Sequence, residues 1–264
     1  MQSAVCKNAV FVTNYLENSK ILRIFAPDLE PKTLLIMRNR ILLTALFAVI
    51  LFSANSVAQP NHDWAGFNKY ATDNNALREH HIDVKVVFYG NSIMQIWNEI
   101  HPEFFTQYGF IDRGIGGQTS SELLVRMRQD VIDLNPQMVI IECGANDIAQ
   151  NNGYISLDRI IGNIISMCEL AKANHIQPIL CSPLPASAFY WHPTITNAAP
   201  KLAELRERVK AYAHKQQIVF IDFYSLFADE QGGMKEETSE DGVHPNLTGY
   251  LLMEPLVLNA LGIE

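Results

Sequence analysis

Four short blocks carry residues whose types could divide the work of acyl transfer. Ser92, in Gly90-Asn91-Ser92, carries a hydroxyl that becomes a nucleophile once a base takes its proton. Asp241-Gly242-Val243-His244 places a carboxylate three residues before an imidazole. At that spacing the two can hydrogen-bond, which fixes the tautomer and leaves the second ring nitrogen free to act as the base. Gly117, in Gly116-Gly117-Gln118-Thr119, offers a backbone N–H that no side chain shields, and Asn146, in Gly144-Ala145-Asn146-Asp147, offers an amide that can donate to a developing oxyanion. Taken singly, each has a plainer reading. Ser92 suits a helix cap, Gly117 and Asn146 suit turns, and Pro245 suits the start of a helix. Their conjunction, in this chain order, is what points to chemistry.

Such residues need elements to position them. Five apolar runs recur along the chain: Val84–Tyr89, Phe110–Arg113, Met138–Glu142, Gln177–Cys181 and Ile218–Asp222. Most are continuous rather than alternating, which suits strands buried on both faces. Between them, Ser121–Asp130, Leu157–Asn174, Ala199–His214 and Leu247–Leu261 space their apolar residues three and four apart, as helices do. Strands alternating with helices predict an α/β fold with a parallel sheet covered on both faces. In such sheets ligands bind beyond the carboxyl ends of the strands. Ser92, Gly117 and Asn146 each follow an expected strand, and His244 precedes the last expected helix.

On these blocks the sequence resembles the SGNH (GDSL-like) hydrolase family. The family's serine, glycine, asparagine and histidine match Ser92, Gly117, Asn146 and His244, with Asp241 in the place of the triad acid. The resemblance runs from about Val84 to Leu261. It implies a three-layer α/β/α sandwich, flavodoxin-like, with a five-stranded parallel sheet in the order 2-1-3-4-5. It also implies a serine esterase with Ser92, Asp241 and His244 as catalytic residues. The oxyanion hole would then be the N–H groups of Ser92 and Gly117 with the side chain of Asn146, and neither a metal nor an organic cofactor is expected. One position departs from the pattern: the first block usually reads Gly-Asp-Ser, and here Asn91 keeps an acceptor but loses the charge. Members of the family deacylate polysaccharides, lysophospholipids, thioesters and short-chain esters. Platelet-activating-factor acetylhydrolase-like members are similar in the Gly-Ile-Gly-Gly turn. No extended apolar lid segment is visible, which ranks a short-chain or carbohydrate O-acetyl ester first and a lysophospholipase or thioesterase second. A non-catalytic ligand-binding module on the same fold is the reading of a different class, and Asn91 alone favours it.

The chain has 264 residues, 48% hydrophobic and 18% charged, with a net charge of −8. This excludes a disordered chain and a disulfide-dense mini-protein. The charge is uneven. Met37-Arg38-Asn39-Arg40 leads into an apolar run from Ile41 to Phe52 and then Ser53-Ala54-Asn55-Ser56-Val57-Ala58. That order is a signal peptide's, and the run is too short for the roughly 20 residues that span a bilayer. On this reading residues 1–36 are an upstream start-site extension, or else a long leader that is translated. Residues 37–58 are a signal peptide cleaved after Ala58, and 59–264 form a single domain exported to the periplasm or beyond. Residues 1–58 hold six basic and three acidic residues, so 59–264 carry 14 basic against 25 acidic, a net −11. That balance argues against nucleic acid or an anionic membrane as partner. The expected partner is a small-molecule or glycan ester, with no stable membrane insertion after cleavage and the oligomeric state open. Cys143, Cys168 and Cys181 cannot pair completely and read as buried thiols, with one disulfide left open. His80, His81 and Asp83 precede a strand, far from the expected site, and read as a solvated face. Tyr190-Trp191-His192-Pro193 follows the fourth strand and is either a pocket wall or a loop anchored by its Trp.

Overall fold

The computed structural model describes residues 63–263 together with Thr33; the expectations placed on residues 1–36 and 37–58 lie outside them. Five strands, β1 (Val86–Gly90), β2 (Ile111–Gly114), β3 (Met138–Ile141), β4 (Gln177–Cys181) and β5 (Val219–Ile221), form one sheet in the order β2-β1-β3-β4-β5. Every pairing is parallel, with Tyr89 opposite Arg113 on one side and Ile141 on the other. The expected order 2-1-3-4-5 is therefore the observed one. Strand β1 begins two residues later than the apolar run. The carbonyls of Val84 and Lys85 already accept from the N–H groups of Gln137 and Met138, so the chain lies along β3 before its ladder to β2 begins.

Successive residues of each strand feed opposite cores, as a two-residue period requires. Val87, Tyr89, Val139, Ile141 and Leu180 pack under α4 (Ser120–Asp130), α6 (Leu157–Ala173) and α7 (Ala198–Lys215). Val86, Phe88, Ile140, Ile179 and Cys181 pack under α2 (Ser92–Ile100), α3 (Pro102–Tyr108), α8 (Phe223–Phe227) and α9 (Leu247–Leu261). Both faces are dry, which is why the strands read as continuous apolar runs. Helices α1 (Ala71–Glu79), α3, α5 (Ala145–Ile148) and α8 were not expected. The last three span seven residues or fewer, too short to display a helical period.

An aromatic cluster ties α9 to the front of the sheet. The Trp97 ring stacks on Phe104 at 5.4 Å and on Tyr250 at 5.4 Å, while Phe88 meets Trp97 edge-on at 5.5 Å. Among the described residues no helix is long and apolar enough to cross a membrane. Cys143, Cys168 and Cys181 are all buried free thiols.

Candidate active site

Three strand ends deliver three of the four blocks to one edge of the sheet. Strand β1 ends at Gly90, Asn91 caps α2, and Ser92 is the first helical residue. The Asn91 side chain accepts from the Ile93 N–H at 2.9 Å, an N-cap bond that sets the entry angle of the helix. At the first turn of a helix the Ser92 N–H has no carbonyl behind it, so it is left for a ligand, with the helix dipole behind it. Gly114 is needed for this approach: a Cβ there would lie 2.3 Å from the backbone N of Gln95 and 2.7 Å from the Asn91 carbonyl oxygen. Any side chain would push the helix that starts at Ser92 off β2.

After β2 the chain turns through Gly117, whose φ of +78° suits glycine. The turn is pinned at both ends. Gly116 N–H donates to Gln95 Oε1 at 2.8 Å, and the Gln118 side chain donates to the Ala65 carbonyl at 2.6 Å. After β3, Asn146 sits in the short helix α5, 4% exposed. Its Nδ2 donates to the Gln118 carbonyl at 3.0 Å, so one amide proton holds the turn and the other remains for a ligand. The neighbouring Asp147 accepts from the N–H and the hydroxyl of Ser120 at 2.8 and 2.5 Å, locking this loop to the start of α4.

His244 arrives from the other end of the chain. Ser92 Oγ lies 2.9 Å from His244 Nε2, and His244 Nδ1 lies 2.7 Å from Asp241 Oδ2. The second carboxylate oxygen of Asp241 accepts from the N–H groups of Val243 and His244 at 2.9 and 2.8 Å. Burial acts to raise the Asp241 pKa, but the bonds from the His244 ring and these two amides outweigh it and hold the carboxyl below its usual range. An ionised Asp241 stabilises the imidazolium that forms when His244 takes a proton. Asn246 caps α9 by accepting from the Gly249 N–H, and the Tyr250 hydroxyl donates to the Ile93 carbonyl at 3.0 Å. That second bond fastens the helix behind His244 to the helix that starts at Ser92.

All five residues singled out in the sequence, Ser92, Gly117, Asn146, Asp241 and His244, are thus brought to one edge. Trp191 joins them: its ring lies over His244, 6.4 Å between centroids and tilted by 27°, and it lines the cleft beside Ser92 and Asn146. Arg126, which no sequence pattern singles out, sits inside α4 with no exposure. Its guanidinium donates to Gln118 Oε1 and to the carbonyls of Gly90 and Arg113, and pairs with Asp130 at 2.6 Å. One buried cation therefore clamps the ends of β1 and β2 and the Gly117 turn. Asn151 was missed as well; it bridges the Gly117 carbonyl and Asn146. His80, His81 and Asp83 are exposed. Among the described residues no three His, Cys, Asp or Glu side chains converge as a metal site would need.

The doubly wound parallel sheet thus carries hydroxyl, imidazole and carboxylate in hydrogen-bonded sequence at its carboxyl edge. Residues 88–252 match the model of the GDSL-like Lipase/Acylhydrolase family, and the chain belongs to that family. A crystal structure from Bacteroides fragilis NCTC 9343, described as an acylhydrolase, is 46% identical, with a TM-score of 0.74 over 76% of this chain and 98% of that one. Esterase TesA of Pseudomonas aeruginosa is 28% identical over 142 residues, 53% of this chain and 63% of its own. The uncharacterized lipoprotein YqeF of Bacillus subtilis is 32% identical over 78 residues, 28% of this chain and 32% of its own. The chain thus spans less than two thirds of these two curated relatives.

Proposed function

We propose that the chain is a serine esterase that removes a short acyl group, acetyl first, from a carbohydrate or a simple alcohol. The observation that carries this reading is the continuous relay of 2.9 and 2.7 Å from Ser92 through His244 to Asp241. His244 takes the Ser92 proton as Oγ attacks the ester carbonyl, and Asp241 steadies the imidazolium. The carbonyl oxygen, now an oxyanion, is received by the Ser92 and Gly117 N–H groups and the Asn146 amide. His244 then protonates the leaving alcohol, and water repeats the sequence on the acyl-enzyme. A short acyl group suits the cleft, which is shallow, about 330 Å³ counted with its open mouth, and is lined beside Ser92 and His244 by Leu184, Ala186, Trp191 and Val243.

Labelling with a fluorophosphonate tests the nucleophile: the folded protein should be modified at Ser92, and an unmodified Ser92 overturns the reading. A series of p-nitrophenyl esters from acetyl to octanoyl, run beside acetylated xylan, tests the acyl group. Activity should fall with chain length, and a preference for octanoyl would transfer the assignment to lysophospholipase or thioesterase chemistry. The leader-like order of residues 37–58 supports a further part of the proposal, that the enzyme works outside the cytoplasm.

A further inference from the structure

The polarity of the oxyanion hole is itself held by a chain of hydrogen bonds. Trp191 Nε1 donates to Asn151 Oδ1 at 2.8 Å. Asn151 Nδ2 donates to the Gly117 carbonyl at 2.8 Å and to Asn146 Oδ1 at 3.0 Å. Asn146 Nδ2 donates to the Gln118 carbonyl at 3.0 Å. An asparagine side chain can in principle face either way, with nearly the same shape. Here the choice is forced. An indole N–H only donates, so it demands the oxygen of Asn151, and the Gly117 carbonyl only accepts, so it demands the nitrogen. Turning Asn151 would set its N–H₂ against the indole N–H and its oxygen against two other oxygens. Asn151, so fixed, offers Asn146 a donor, and the Asn146 amide must then present its nitrogen to the hole.

We propose that Asn151 and Trp191 are positioning residues that fix the Asn146 amide with its donor toward the oxyanion. The inference rests on the reading of Ser92, Gly117 and Asn146 given above. Trp191 begins the relay and also lies over His244, so the same side chain touches the base and orients the hole.

Substitution at Asn151 separates this role from ordinary packing. Asn151→Asp is nearly isosteric and still accepts from Trp191, but it turns a carboxylate oxygen toward Asn146 Oδ1 and the Gly117 carbonyl. Asn151→Ala only deletes the bonds. A residue that merely fills space tolerates the isostere better than the truncation; a polarity-setting residue shows the reverse. The expected order in kcat on p-nitrophenyl acetate is wild type, then Asn151→Ala about 10-fold lower, then Asn151→Asp lower again by about 5-fold or more, with KM held within about 2-fold. Trp191→Phe keeps the ring over His244 and loses only the donor, and should lower kcat about 3-fold. Combined with Asn146→Ala, the Asn151→Ala loss should vanish, because Asn151 acts through an amide that is no longer there. Thermal unfolding checks that each variant is folded, and Trp191→Phe with the double variant carries the test if Asn151→Asp is not. Asn151→Asp as active as Asn151→Ala or more so, or losses that multiply in the double variant, overturns the proposal. Absence of fluorophosphonate labelling in the wild type would instead overturn the serine esterase reading beneath it.

Discussion

Asn146 Nδ2 donates to the Gln118 carbonyl, and the proposed mechanism gives its other amide proton to the oxyanion, where losing such a donor costs about 10²–10³ in rate. Asn146→Ala should therefore lower kcat by about that factor while KM changes little, as steady-state kinetics on p-nitrophenyl acetate will show. In the lining of the cleft, Glu142 has no exposure, and neither carboxyl oxygen closes a hydrogen bond. Burial pushes its pKa up to about 8; the nearby Asn91 amide pulls the other way, though no bond closes between them, and Asp147 adds to the rise. An unfolded glutamate ionises near its ordinary 4.5, so between about 4.5 and 8 the folded chain holds a proton that the unfolded chain has lost. Stability contributed at this site is accordingly greatest below that window and falls as pH rises through it. Glu142→Gln removes the titration, so its Tm should gain on the wild type progressively from pH 5 to pH 8. A Tm difference independent of pH would refute the assignment. The same acid gives a physical reason for Asn91 where the family usually has Asp. A neutral amide still caps α2, whereas a carboxylate would bury a negative charge beside the protonated Glu142.

Helix α4 does more than cover the sheet. Thr119 and Glu122 form a capping box, each side chain bonding the other's backbone, and this fixes where the helix starts. From that start Arg126 points inward with no exposure while Val125 faces solvent at 45%. Removing one member of a buried ion pair strands the other, at a cost of about 3–5 kcal/mol. Arg126→Met should cost at least that much in urea unfolding, and adding Asp130→Leu should recover the part due to the stranded carboxylate, while the Gly90 and Arg113 carbonyls stay unpaired in both variants. If the double variant is no more stable than the single one, stranding of Asp130 is not the cause. The sequence shows the period of this helix through Leu123 and Met127, but it does not show Arg126 as an inward residue. A cation at a helical position reads as solvent-facing until three carbonyl or amide acceptors converge on it, and those come from β1, β2 and the Gly117 turn. Helices α3 and α8 were equally illegible, since each is held by aromatic burial rather than by a repeating pattern.

For the molecule as a whole, the two cores bury both faces of the sheet, and Ser92, Gly117, Asn146, Asp241 and His244 gather at its carboxyl edge. If the leader reading holds, intact mass of the exported protein will place its first residue at Gln59; a chain beginning at Met1 or Met37 would remove that part of the proposal. Sequence alone determined the strand count, the parallel α/β class, the strand order through resemblance, and the identity of Ser92, Gly117, Asn146, Asp241 and His244. The strand count and class are legible because a strand buried on both faces and a turn at its carboxyl end are local patterns, while the strand order and the grouping of the five residues came through the resemblance. Tertiary structure alone decided which groups hold those five in place. Ser92 and His244 stand 152 positions apart and meet because Tyr250 and Trp97 dock α9 on α2. Likewise Arg126, Asn151 and the indole of Trp191 acquire their roles only when separate loops bring donors and acceptors within 3 Å, since a hydrogen bond is set by distance and direction in space and leaves no period along the chain.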